Sequence, residues 1–360
     1  MRSHSAAVLA LAVGVAFATP MTGAGQQDAA PSTGDAGGET WTAPRTPDGQ
    51  PDLQGYWTNA TYTPMERPRD VEKEFYTEEE YFNLRTYGST SGRESANPNA
   101  RLGRWLATGD AADAPEPGSV ADVHYDFGQF GLARNQSTVV ESLRTSLVVD
   151  PPDGRIPPLT AVGEQRAAER GEARRRMGGR WDAAQNNELD DRCIMMNAGP
   201  PIIPGGYNNT YQIVQGPGYV AILVEMIHDA RVIPLDGRPN IPGGIRQWMG
   251  NSRGRWEGDT LVVETTNFTG KTAFRGSGSS LRIVERFTRV ADDTLLYSFT
   301  AEDPETWARP WTAELPMQTT LGPVVEFACH EGNYSMYNAL SGARADEQQA
   351  AEDAAKLEVR

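Results

Sequence analysis

The chain has 360 residues, 38% of them hydrophobic, enough for a sizeable core in one large or two ordinary domains. Its 33 Lys and Arg stand against 48 Asp and Glu, a formal net charge of -15, which repels phosphate backbones and anionic lipid heads and excludes nucleic acid as a partner. Gly 37 and Pro 25 punctuate short runs rich in Val, Ile, Thr and Tyr, the texture of an all-β body with long loops.

Residues 1–24 read as a secretory signal peptide. Arg2 supplies a basic start, and Ala6 to Ala18 an apolar stretch too short to span a bilayer. Small residues suited to cleavage follow at Ala16-Phe17-Ala18 or Thr22-Gly23-Ala24. Residues 25–50 are small, polar and Gly-rich, a flexible linker. These features imply a soluble periplasmic or secreted protein with no membrane span.

Residues 51–205 read as a lead-in strand and a loop-and-helix wrap. "GYWTNATYT" (55–63) has strand composition. "TEEEYFNLRTY" (77–87) opens with Thr and acids and places Tyr81, Leu84 and Tyr87 at helical spacing, which predicts a capped helix. "RTSLVVDPPDGRIPPLT" (144–160) offers a short strand, a Pro-Asp-Gly turn and a stiff exit, and a basic, solvated helix is expected over 161–177.

Residues 206–347 alternate apolar and polar side chains with a period of two, which predicts an antiparallel β domain. The expected strands lie near 211–215, 219–227, 230–235, 246–249, 252–257, 260–268, 281–290, 294–302, 309–317 and 324–330. Hairpins turn at Gly258-Asp259 and at Ala291-Asp292-Asp293, so the strands form a meander. So many strands leave exposed edges unless the sheet curls, which predicts a barrel or a sandwich. Residues 348–360 are a charged tail.

The two cysteines, Cys193 and Cys329, are an even pair in an exported chain and read as one disulfide closing a loop of about 135 residues; the alternative is two separate buried thiols. With no Cys-x-x-Cys, His-x-His or His-Glu-x-x-His, no metal site is expected. No phosphate loop, dinucleotide fingerprint or haem-attachment motif occurs, so no cofactor is expected either.

"PLDGRPNIP" and "RQWMGNSRGRWEGDTLVVETTNF", with "DLQGYWTNATYTPMERP" and "EFACHEGNYSMYNALSGARADE", resemble a large, functionally uncharacterised family of secreted bacterial proteins over most of residues 50–347. The resemblance implies export and a common fold but little chemistry. Many members carry His where this chain has Asn240 and Asn251, so a mechanism needing those histidines is not supplied here. Gly55-Tyr56-Trp57 also resembles the Gly-x-Trp opening of lipocalin-type, or calycin, barrels, which favours a barrel over a sandwich.

Past the signal peptide the chain holds three histidines, His124, His228 and His330, the residue type suited to acid/base work near neutral pH. His330 follows the expected disulfide and precedes Glu331; on a continuing strand the two would face opposite ways. In "YVAILVEMIHDARVIPLDG" (219–237), a single strand would place His228 opposite Glu225 and Arg231, whereas a turn near His228 would let Arg231 neutralise Glu225 across a hairpin. The bolder reading is a hydrolase or lyase, without redox cofactor, acting on a small molecule or carbohydrate. His330, His228, Glu225 and Glu331 would be its acid/base groups. The alternative is a non-catalytic calycin-like binding protein. In either case aromatic and amide side chains near strand ends would line the pocket: Tyr207, Asn209, Trp248, Trp256, Asn267, Asn333 and Tyr334. Arg231 and Arg246 are candidates to hold substrate, and arginines beside Trp248 and Trp256 would suit an anionic group.

Overall fold

The computed structural model describes residues 41–87, 140–196, 199–205 and 208–358. The expected signal peptide, most of the linker, His124 and Tyr207 lie outside them. Among the described residues ten strands form one antiparallel sheet, in the order β5-β4-β3-β1-β10-β9-β8-β7-β6, with β2 beside β10. The strands are β1 (Gly55–Thr58), β2 (Val148–Asp150), β3 (Thr210–Gly216), β4 (Tyr219–Val224), β5 (Ala230–Pro234), β6 (Asn251–Glu257), β7 (Thr260–Thr266), β8 (Arg282–Arg289), β9 (Thr294–Glu302) and β10 (Trp311–Thr319). The lead-in strand β1 is what joins two meanders, because it pairs with β3 on one side and β10 on the other.

The sheet curls into a nearly closed barrel, and the period-two alternation decides what fills it. On β9, Leu295, Tyr297, Phe299 and Ala301 point inward; on β10, Trp311, Ala313, Leu315 and Met317 do so. Phe274 stacks on Trp311 at 6.0 Å, while Phe299 and Trp307 meet its edge at 5.4 and 5.6 Å. Trp57 is fully buried, its indole N–H donates to Leu53 O at 2.9 Å, and the Arg289 guanidinium covers its ring at 5.5 Å. The barrel interior is therefore a packed core of side chains.

Closure is incomplete between β5 and β6, and this seam is uneven. At one end a Cβ on Gly254 would stand 2.5 Å from Leu235 Cδ2 and 2.9 Å from Ile233 Cγ2, so the strands approach as closely as a glycine permits. At the other end, one pleat away, the contact is a 3.4 Å hydrogen bond from Arg231 Nη2 to Ser252 Oγ.

Helix α1 (Glu78–Tyr87) begins with a capping box: Glu80 N–H donates to Thr77 Oγ1 at 3.2 Å and Thr77 N–H to Glu80 Oε2 at 2.8 Å. Helix α2 (Ala161–Arg176) is capped by Thr160, and only Gly163 is buried, consistent with a solvated cover. The expected strands at 246–249 and 324–330 do not form. In the first, Gln247 makes only an isolated parallel bridge with Phe268, and Asn267 Nδ2 holds the preceding loop by donating to the carbonyls of Ile241, Pro242 and Ile245 at 2.9, 3.1 and 3.1 Å. In the second, the neighbouring strand β10 already has β1 and β9 as partners. That chain instead reaches the Cys193–Cys329 disulfide and then α3 (Tyr334–Glu358), which runs unbroken through residue 347. Cross-linking residues 136 apart stabilises by about 4 to 5 kcal/mol in the chain-entropy model.

Candidate functional site

Strand β4 ends at Val224, and residues 225–229 turn the chain into β5, with Ile227 and His228 at φ 62 and 55. The sequence expectation of a Glu225–Arg231 pair does not hold. Glu225 is buried at the turn, where its Oε2 accepts from Thr210 N–H at 3.1 Å. Burial pushes its carboxyl above the ordinary range, and the hydrogen bonds from Thr210 pull the other way.

Arg231 points into the barrel, because its parity on β5 is that of the core residue Ile233. Its Nη1 and Nη2 donate to Glu285 Oε1 and Oε2 at 3.0 and 2.5 Å, and both side chains are within 3% of complete burial. Burial alone would lower the Arg231 pKa, but the Glu285 carboxylate overrides this and holds it above the usual value. Tyr297 Oη donates to Glu285 Oε1 at 3.0 Å and accepts from Ile202 N–H at 2.9 Å. Burial, then the Glu285 charge, push that phenol well up. Ser252 and Thr265 hydroxyls share a hydrogen bond at 2.8 Å beside it. Of this bidentate network, Arg231 Nε–H alone is buried without a partner.

The open end of the seam holds a cleft of about 480 Å³, lined by Asp229, Arg231 and Val232 from the β5 side, Asn251 and Ser252 from β6, and Trp248 from the loop between them, with Ile194 beside the disulfide cysteine Cys193. Thr272 Oγ1 donates to Trp248 O at 2.7 Å and steadies that loop. A second cavity, about 280 Å³, lies at the disulfide among Trp181, Asp191, Phe327, Cys329, Asn333 and Met336.

Two of the sequence candidates, Arg231 and Trp248, thus share one cleft. The other described candidates sit elsewhere. His228 is exposed at the β4–β5 turn, and His330 and Glu331 are exposed in the turn before α3; neither histidine lines either cavity. Asn333 caps α3, its Oδ1 accepting from Met336 N–H at 3.2 Å while its Nδ2 donates to Asp191 O at 2.8 Å; Tyr334 next to it is 72% exposed. Asn209 closes a loop on Gly205, and Asn267 clasps residues 241–245. Arg246 Nη1 donates to Ser279 O at 2.6 Å and lines neither cavity. Trp256 is half-buried against the core. Glu285, Tyr297 and Ser252 were missed, although an acid at the inward parity of "RIVERFTR" was a legible sign that a cation must meet it.

The class these features define is a nearly closed antiparallel β-barrel with a filled interior and a cleft at its open seam. No family model matches the chain, and no curated protein does. The crystal structure of a point mutant of the fluorescent protein UnaG is similar over 37% of this chain and 86% of that chain, with 13% identity and a TM-score of 0.22. The barrel assignment rests on strand order and register, independently of that likeness.

Proposed function

We propose that this is a non-catalytic barrel protein that binds a small molecule in the seam cleft. The observation that carries the reading is the uneven seam: tight at Gly254, and open at Ser252 over a cleft in which Arg231 and Trp248 meet. A cleft of about 480 Å³ is of ligand size, and polar groups fixed on strands give it orientation without mobile side chains. The packed interior favours the seam over a lumen as the binding place. Binding is favoured over hydrolase or lyase chemistry because the acid/base candidates lie apart from this cleft, and Glu225 is engaged with Thr210. In this reading residues 1–24 direct export, and the Cys193–Cys329 disulfide fits an oxidising compartment.

The test is a thermal-shift screen of glycans, lactones and aromatic esters on the full chain, with turnover assays on the hits. Val232 lines the cleft and is 64% exposed, so Val232→Trp fills the space with little cost to folding. Hits are expected to stabilise the wild type but not Val232→Trp, without turnover. Turnover abolished by His330→Ala, or hits indifferent to Val232→Trp, would overturn the proposal.

A further inference from the structure

The charge balance of the cleft differs from the anion site that its arginines suggest. Arg231 places both terminal nitrogens on Glu285, a carboxylate that is 0% exposed, so from the cleft the pair is a dipole and not a free cation. Arg246 is turned away onto the Ser279 carbonyl. Asp229 also lines the cleft, and its carboxylate accepts only the adjacent Ala230 N–H, at 3.1 Å; no described Lys, Arg or His nitrogen forms an ion pair with it. Arg231 and Glu285 cancel, so the lining sums to one negative charge, on Asp229, which also stands within electrostatic reach of Arg231. Trp248 stands in the same cleft, and an indole face attracts a cation through its quadrupole.

A second, independent feature indicates what else the ligand carries. Arg231 Nε–H is buried and has no acceptor, and a buried donor left unmade is costly. An oxygen on a ligand seated between the strand edges would satisfy it; Ser252 Oγ alongside is already engaged by Arg231 Nη2 and Thr265 Oγ1. Ile194, Val232 and Met249 provide an apolar wall for a short aliphatic body. A peptide adding along the open edges is disfavoured, since the seam closes at Gly254, one pleat beyond Ser252.

We infer that the seam cleft selects a small organic ammonium compound bearing an acceptor oxygen, its ammonium between Asp229 and Trp248 and its oxygen toward Arg231 Nε. The inference rests on the ligand-binding reading above and specifies the ligand class. The net charge of -15 adds a long-range attraction for such cations that salt screens.

Three probes of one shape separate the charges: leucine amide, a cation; N-acetylleucine amide, neutral; and N-acetylleucine, an anion. Each carries carbonyl oxygen. Calorimetric titration of the full chain at low salt is expected to rank them in that order, with leucine amide favoured over the neutral probe by about fivefold, the scale of one exposed charge or cation–π contact. Asp229→Asn keeps an Oδ1 acceptor for Ala230 N–H, so the turn survives; it is expected to erase the preference and leave N-acetylleucine amide unaffected. Trp248→Leu is expected to weaken leucine amide most. Equal or tighter binding of the neutral or anionic probe, still blocked by Val232→Trp, would overturn the ammonium assignment and leave the cleft standing. Failure of all three probes while screen hits bind there would overturn it too. If no compound of any class responds to Val232→Trp, the cleft reading falls as well.

Discussion

At the Gly254 end of the β5–β6 seam, Ile233 and Leu235 lie against bare backbone, and any Cβ there would have to push their side chains aside. At the Ser252 end the same strands are spanned by one long hydrogen bond, with polar groups where the first end has methyls. The tight end is dispersion packing, which any added volume disturbs. At the open end Arg231 gives both terminal nitrogens to Glu285 and reaches β6 only through the long bond to Ser252. Where a buried charge finds its partner thus decides where a cleft is left between two strands.

The most severe way to break this contrast is Glu285→Ala. It leaves a buried guanidinium without its counter-ion, and a loss of about 3–5 kcal/mol in urea unfolding is expected, whereas pairing Glu285→Leu with Arg231→Met recovers most of it. The tight end is broken by Gly254→Val, with an expected loss of about 1–3 kcal/mol by overpacking, while Ser252→Ala at the open end costs less than about 1 kcal/mol. A reversal of that order would show that the seam is not zipped where Gly254 lies.

The smallest effect concerns Glu225, whose buried carboxyl holds its proton to higher pH than in the unfolded chain. A raised folded pKa on an acid means that stability falls as pH rises from the ordinary value of 4.5 to the raised one. Glu225→Gln keeps an acceptor for Thr210 N–H, so its urea midpoint should vary less across that interval and lie slightly above wild type at neutral pH. An unchanged pH profile would show that Glu225 does not titrate there.

The local parts of the fold were legible. The hairpins at Gly258-Asp259 and Ala291-Asp292-Asp293 carry their turn residues, Thr77 and Glu80 announce a capping box, and an even cysteine pair announced the disulfide. What escaped the sequence depends on distant partners. Glu225 and Arg231 are neighbours along the chain, yet Arg231 pairs with Glu285, 54 residues away, because inward parity and the curl of the sheet bring them together. Likewise residues 324–330 have strand composition but follow a strand whose two edges are taken. Of the candidate site, Arg231 and Trp248 line one cleft, but the partner that neutralises Arg231 was invisible in the sequence.

The most direct test of the seam cleft is amide chemical-shift mapping on the full, isotope-labelled chain, titrated with a compound that stabilises it. Perturbations are expected to concentrate at Ala230, Val232, Trp248 and Ser252. Perturbations confined to Asp191, Cys329 and Asn333, around the disulfide cavity, would contradict it.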